Sequence, residues 1–292
     1  MLFSHFVLQS PQRRVMEAKA AQSKAASDDS VSPPERRTQA LDERLDPETR
    51  VPGGSLQLYV GGLVLLLVGG SALFIRLYRY LSLHITADSL RSPLQAVQRH
   101  AKLFVLLHVA YFGIMILSIE TTAVVPRLQH TLLTRVRHEI HGGRGPLGVA
   151  GSAYESGNIP LAAGATLVLN FVIGSVLSIT VPSLVVPGAG TLLAAIRAAM
   201  WGVLLAPTYA AISSAMLPHS FTLLIEGEAY ILATFFGLMV PIYLCRPEEG
   251  PTVGARYVDA LLLNLKGSLW VLVVLAVSAV YEATEVIIMK GS

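Results

Sequence analysis

The sequence predicts an all-α membrane protein, a polytopic bundle of about six transmembrane helices behind a polar N-terminal tail. Hydrophobic residues make up 53% of the 292 residues, charged residues only 14%, and the mean hydropathy is +0.57. A soluble domain carries roughly 25% charged residues, so this chain has too little charge to cover a water-soluble surface. Long apolar stretches follow one another after residue 54. Together these observations exclude soluble, collagen-like and disulfide-scaffold classes.

The first element, residues 1–54, differs in composition from the rest of the chain. It holds eight Lys or Arg and eight Asp or Glu among many Ala, Ser, Gln and Pro residues. A segment with so few large apolar side chains cannot offset its ordering entropy by burial. We therefore predict a disordered polar tail that ends at the turn Pro52-Gly53-Gly54, ahead of a transmembrane domain over 55–292.

Six apolar stretches predict the membrane spans. About 20 apolar residues cross a hydrocarbon core, and a helix satisfies every backbone polar group there. The fourth and fifth spans meet at Leu217-Pro218 with almost no loop, which predicts either a tight hairpin or a broken re-entrant element. Basic residues between apolar ones in 76–102 indicate an amphipathic helix on the membrane surface. The predicted spans are 56–75, 103–125, 161–181, 191–217, 218–244 and 261–289.

The distribution of Lys and Arg barely favours either orientation. With the N-terminus inside, nine lie near the inner face and eight near the opposite face. The positive-inside rule does not separate nine from eight. A polar tail of 54 residues is easier to leave in the cytoplasm than to translocate, so we predict a cytoplasmic N-terminus and a multi-pass protein of the cell inner membrane.

Ionisable residues inside the spans are the candidate functional residues. Each costs about 2.5–3.5 kcal/mol at a helix centre unless it has a partner or a polar cavity. His219, Thr222, Glu226 and Tyr230 fall on one stripe of the fifth span at about 100° per residue, and Glu228 faces the other way. The other candidates are Arg197 in the fourth span, Asn170 in the third, and Glu282 and Glu285 in the sixth.

Two interpretations of this polar cluster stay open. In the functional one, Arg197, His219, Glu226, Glu282 and Glu285 form an intramembrane site. In the structural one, Arg197 pairs with one Glu, and the other groups bond to the backbone or lie near the interface, since interhelical polar contacts often serve packing alone. Under either interpretation, Glu228 and Glu285 are the residues most expected at the interface.

The sequence lacks the common motifs of redox, metal-dependent, nucleotide-binding and hydrolytic sites. The single cysteine, Cys245, excludes an internal disulfide and a CxxC motif. Residues 138–141 read His-Glu-Ile-His, which lacks the i, i+4 histidine pair of zincins, and Gly142-Gly143-Arg144-Gly145-Pro146 lacks the Lys-Ser/Thr of a P-loop. No GxSxG segment supports hydrolysis. We therefore predict no enzymatic activity, no cofactor, no metal and no nucleic-acid partner.

Three segments resemble the stage II sporulation protein M family, over roughly residues 100–289. They are Leu169-Asn170-Phe171 with Gly174, Leu217-Pro218-His219, and Ala279-Val280-Tyr281-Glu282-Ala283. In that family the Pro-His pair is followed by Gly and by a Glu one turn later. Here Ser220 follows, and the first Glu is Glu226, so His219 and Glu282 match the family's pattern more closely than Glu226 does.

The resemblance implies a polytopic membrane protein without enzymatic activity. In endospore formers, the family member scaffolds peptidoglycan-degrading partners at the septal membrane. The leading expectation is therefore a membrane anchor or scaffold, with the lipid bilayer and membrane or cell-wall proteins as partners. The alternative is a transporter or permease subunit that uses intramembrane carboxylates, because interrupted helices and buried carboxylates mark ion or proton paths.

Overall fold

The computed structural model describes residues 53–141, 145–246 and 252–291. All regular structure within these ranges is helical, which confirms the predicted all-α class. The predicted disordered tail, apart from its last two residues, lies outside the described residues. Those two residues, Gly53 and Gly54, begin the first helix rather than a turn.

The chain forms nine helices over the described ranges. Helix α6 is continuous, but its middle part, Leu169–Thr180, is wound as a π-helix. The bounds are α1 Gly53–His84, α2 Asp88–Arg99, α3 Ala101–Val124, α4 Pro126–His141, α5 Pro146–Glu155, α6 Ile159–Val185, α7 Ala189–Leu205, α8 Ala210–Leu244 and α9 Val253–Gly291.

Five of these helices are long and apolar enough to cross a membrane, so the chain fits a multi-pass membrane protein. They lie in α1, α3, α6, α8 and α9, and their apolar parts are 24–37 residues long. A sixth apolar helix, α7, has 17 residues. That length is at the lower limit for a span, at about 1.5 Å of rise per residue.

The structure breaks the chain between the fourth and fifth predicted spans eleven residues earlier than the sequence analysis does. Helix α7 ends at Leu205, and Ala206 is extended, with φ −56° and ψ 122°. The ring of Pro207 disfavours the helical conformation for the residue before it. Pro218, by contrast, lies inside α8, because neighbouring groups in a membrane bundle can satisfy the backbone that a proline frees.

The six apolar helices alternate in direction, as cross-helix contacts show. On α3, His108 contacts Glu228 and the earlier Phe104 contacts the later Phe235, so α3 and α8 are antiparallel. Helix α9 is also antiparallel to α8, since Glu285 contacts Thr222 at the start of α8 and Gly267 adjoins Phe236 farther along.

Helix α6 runs parallel to α8, and α7 runs against both. Asn170 contacts Glu226, and Ser183 adjoins Gly237. Gly174 adjoins Arg197, whereas Ser183 adjoins the earlier Gly190. Helix α7 therefore runs back across the bundle between the two parallel helices α6 and α8. We call the side at which α1 begins and α9 ends the first face, and the other side the second face.

Helix α8 is the centre of the bundle. Of its apolar part 89% is buried, against 22–39% for the other four long helices. It packs against α1, α3, α6, α7 and α9. From His219 to Thr234, the polar side chains of α8 are buried against other helices, which makes α8 the element that positions the candidate site.

Candidate functional site

The predicted stripe on α8 is fully inside the bundle. His219, Thr222, Glu226 and Tyr230 are each at most 3% exposed. Their spacing of three and four residues places them on one side of the helix. That side faces α6, α7 and α9, which supply Asn170, Arg197, Glu282 and Glu285. The structure thus brings all six predicted site residues around one face of α8.

Glu226 is held by the π-helical part of α6. The side-chain amide of Asn170 donates a hydrogen bond to the Glu226 carboxylate, and both residues are buried. The wide turn also lets Ser178 Oγ donate to the carbonyl of Ile173, five residues earlier, at 2.5 Å. Short π-helical segments are frequent at functional sites, and no residue pattern in the sequence indicated this one.

Arg197 lies at the middle of α7 and points into the bundle. Its guanidinium carbon is 4.2 Å from the centre of the Tyr230 ring, a cation–π contact. Its Nη1 donates to the carbonyl of Gly174 at 3.4 Å. Tyr111 and Glu226 are the other electrostatic neighbours of the guanidinium. Arg197 therefore contacts an aromatic ring and a carbonyl, with Glu226 as an electrostatic neighbour.

Gly174 makes room for this arrangement. A Cβ atom at this position would lie 2.7 Å from Nη2 of Arg197 and 2.9 Å from the hydroxyl oxygen of Tyr230. Real Cβ atoms do not come so close to other heavy atoms. The glycine is thus required by the close approach of two side chains, not by its backbone conformation.

His219 and Glu285 form a second pair, nearer the first face. Nδ1 of His219 is 3.5 Å from Oε1 of Glu285, and the hydroxyl of Thr222 donates to Oε2 at 3.4 Å. The side chains of His219 and Glu285 are only 2% and 6% exposed. Glu285 is therefore buried where the end of α9 packs on the start of α8, rather than exposed on the surface of the bundle. Nε2 of His219 has no hydrogen-bond partner among the described residues.

Glu282 lies deeper, between these two groups. It is 0% exposed and is an electrostatic neighbour of Glu226. Tyr154 of the short helix α5 is close to Glu282 as well, and its hydroxyl is 2.9 Å from that of Thr166. Three carboxylates, those of Glu226, Glu282 and Glu285, thus share one region of the bundle.

The opposite side of α8 carries a polar pair that the sequence analysis missed. Oε2 of Glu228 is 2.7 Å from Nε2 of His108, and Nδ1 of His108 donates to the carbonyl of Phe104 at 2.8 Å. Glu228 is 0% exposed, so it is buried between α8 and α3 rather than on the surface of the bundle. The available signal was a histidine amid the apolar residues of the second predicted span, since such a residue needs a partner in another span.

Gln129 of α4 is a second residue that the sequence analysis missed. Its side chain supplies hydrogen-bond partners for the irregular backbone between α7 and α8. Its amide nitrogen donates to the carbonyls of Leu204 at 3.1 Å and Ala206 at 2.7 Å, and its amide oxygen accepts from the hydroxyl of Thr208. Gln129 is 0% exposed. Irregular backbone at this depth requires such partners, because neither water nor a regular helix supplies them.

The site contains buried acidic, basic and cationic side chains, and these are the groups that any chemistry of the site would use. Within the residues that the structure describes, no three His, Cys, Asp or Glu side chains are grouped to hold a metal ion. A cavity of about 120 Å³ lies between α3, α7 and α8, smaller than the roughly 300–1,000 Å³ of ordinary ligand pockets. It is lined mainly by apolar side chains, among them Leu107, Ile114 and Ile231.

Comparison with protein families, with curated proteins and with solved structures gives no match to this chain. The resemblance to the stage II sporulation protein M family therefore rests on the three sequence segments alone.

Proposed function

We propose that this chain is a non-enzymatic protein of the bacterial inner membrane that anchors or scaffolds partner proteins, as its resemblance to stage II sporulation protein M implies. The observation that supports the proposal best is the way α8 is joined to its neighbours. Separate polar pairs connect it to α1, α3, α6 and α9. They are Tyr59–Ser220, His108–Glu228, Asn170–Glu226 and His219–Glu285.

These pairs favour one fixed arrangement of the helices. An interhelical polar contact contributes only about 0.6 kcal/mol on average, so their main effect is on register rather than on total stability. A slip of α8 by one turn would leave carboxylates and imidazoles against apolar side chains, at several kcal/mol. A bundle held in one register suits a platform for other proteins.

The proposed partners are membrane or cell-wall-remodelling proteins. The polar segment 1–54 and the basic helix α4 are the proposed docking surfaces for the cytoplasmic or membrane-embedded segments of these partners. Because α1 begins and α9 ends on the first face, the two ends of the bundle share one side, and we place that side in the cytoplasm.

The test is a pull-down of the tagged full chain from its native membranes in a mild detergent, analysed by mass spectrometry. Stoichiometric recovery of cell-wall hydrolases or septal proteins would support the scaffold. Recovery of the chain alone would refute it. The matched variant is Arg127→Glu/Arg135→Glu on α4, which we expect to release partners that dock there while the bundle stays folded.

A second candidate is a transporter or permease subunit, favoured by the three carboxylates of Glu226, Glu282 and Glu285 deep in the bundle. Buried carboxylates of this kind can carry protons or ions across a membrane. The chain contains no P-loop, so a primary transporter would need an ATPase partner, and recovery of an ATPase in the pull-down would favour this candidate. Proton flux into liposomes is then the direct measurement, with Glu226→Gln as the inactive variant and Glu139→Gln as the surface control.

A further inference from the structure

Four exposed basic residues lie close together on the second face. Arg76 and Arg79 are in the last turns of α1, Arg99 ends α2, and Lys102 is in the first turn of α3. We call these four residues the basic patch. Neither the proposed scaffold nor the permease candidate uses them.

The four basic residues come together because α2 folds back along the end of α1. The side-chain amide of Gln98 donates to the carbonyl of Arg79 at 3.3 Å and also bonds the hydroxyl of Ser82. The last turn of α2 therefore lies against the last turns of α1. Arg99 adjoins Gln98, and Lys102 follows three residues later, so each of the four basic residues lies within four residues of this contact along the chain.

The patch also lies at one depth, the boundary of the apolar layer. Arg76 directly follows the apolar run 56–75, and Lys102 directly precedes the apolar run 103–125. A run of 20 residues spans the hydrocarbon core of about 30 Å. The basic groups thus begin where hydrocarbon gives way to lipid headgroups, and long basic side chains can extend toward that layer.

No described acidic residue neutralises the patch. None of the four side chains forms an ion pair within the ranges that the structure describes. Asp88 is the one acidic residue in 76–102, and it is exposed on the first turn of α2. Among the described residues nothing pairs with the four positive charges, so they can bind an anion from outside the chain.

The surface around the patch matches a lipid better than an acidic protein segment. Leu65 and Leu73, on the hydrocarbon side of Arg76 along α1, are 76% and 66% exposed, and Tyr80, just beyond Arg76, is 58% exposed. Tyrosine is enriched at the level of the headgroups. A ligand that satisfies this surface needs an anionic head and an apolar body side by side.

We propose that the basic patch binds the headgroup phosphate of an anionic phospholipid, with the acyl chains along the exposed leucines of α1. The planar guanidinium groups of Arg79 and Arg99 can each give a phosphate two parallel hydrogen bonds. Lys102 and Arg76 add charge without fixed geometry. Helix α2 has a structural part in this site, since its buried residues Leu94 and Val97 hold it in place.

The experiment titrates the detergent-purified full chain with phosphatidylglycerol or phosphatidylcholine and measures bound lipid by native mass spectrometry. We expect a clear preference for phosphatidylglycerol that weakens as salt screens the charges. Each basic residue near an anionic surface contributes roughly a factor of five in affinity, so Arg79→Gln/Arg99→Gln should weaken phosphatidylglycerol binding about 30-fold. Phosphatidylcholine binding should not change.

The matched control is Arg127→Gln/Arg135→Gln, which removes two exposed basic residues from α4 on the first face. Equal losses in both double variants, or equal binding of the two lipids, would overturn the proposal. A third arm adds polyglutamate. If it binds the chain through Arg79 and Arg99 while phosphatidylglycerol does not, the patch docks an acidic protein segment and the lipid assignment is wrong. Thermal unfolding of each variant verifies that the bundle is intact.

Discussion

Arg197 illustrates how a single residue is accommodated inside this bundle. A guanidinium at a helix centre costs about 2.5–3.5 kcal/mol on insertion scales. Here a ring from α8, a carbonyl from α6 and the nearby Glu226 surround it. Each of these neighbours comes from a segment far away in sequence. They can all reach Arg197 because small residues permit the helices to approach closely.

We predict that Gly174→Ala destabilises the bundle by about 1–3 kcal/mol, as overpacking of a filled interior does. The added methyl group would collide with Arg197 and Tyr230. The matched control is Gly164→Ala on the same helix, where nothing lies within 4 Å of the new Cβ atom. Thermal unfolding in detergent measures both variants. Equal midpoints for the two would show that α6 does not approach Arg197 this closely.

We also predict strong coupling between His108 and Glu228. Removing one partner of a buried pair leaves the other uncompensated, at about 3–5 kcal/mol. A double-mutant cycle with His108→Ala and Glu228→Ala should therefore give a coupling energy of about 0.5–3 kcal/mol. Arg135 and Glu139 are the comparison pair: they are exposed and 3.7 Å apart, so their cycle should give about 0–1 kcal/mol. Additive losses at His108 and Glu228 would contradict the observed contact.

At the scale of elements, the sequence predicted which side of a helix is buried better than it predicted which residues pair across helices. The stripe of His219, Thr222, Glu226 and Tyr230 follows from helical periodicity alone, and the structure places it inside. The pairing of His108 with Glu228 joins residues 120 positions apart, and no local pattern encodes it. No local pattern predicted the π-helical turns around Asn170 either, because these turns depend on contacts from the neighbouring helices.

The proline residues show the same limit for element boundaries. Pro207 and Pro218 look alike in sequence, yet only Pro207 ends a helix. The difference lies in their surroundings, since Gln129 and Thr208 support an open backbone at residues 206–209. Tertiary hydrogen bonds, which the sequence does not display, therefore selected the position of the break.

We predict that Gln129→Ala destabilises the α7–α8 connection. The variant removes the side-chain donor of the buried Leu204 carbonyl, at about 1–3 kcal/mol. It also removes one of the two donors to the Ala206 carbonyl, which keeps the N–H of Thr208. Gln95→Ala on α2 is the control, because Gln95 is exposed. Hydrogen exchange of the backbone around residues 204–209 is the measurement. Faster exchange in the Gln129 variant alone is expected, whereas unchanged exchange would mean that this side chain does not support the break.

At the scale of the whole molecule, the observed alternation of six helices requires the 17-residue helix α7 to cross from the second face to the first, so that α8 ends on the second face. A chain in which α7 did not cross would have α8 parallel to α3, unlike the antiparallel pair observed. The contacts of Arg197 with α6 and α8, and of Gln129 with the end of α7, favour the crossing.

Cysteine labelling distinguishes these topologies. Cys245, the single cysteine, is exposed just after α8, and Thr131 is exposed on α4 at the first face. A membrane-impermeant maleimide applied to sealed vesicles should label Cys245 from one side only. It should label a Thr131→Cys/Cys245→Ser variant from the other side only. Labelling of both from the same side would mean that α7 does not cross, and the alternation of six helices would then be wrong.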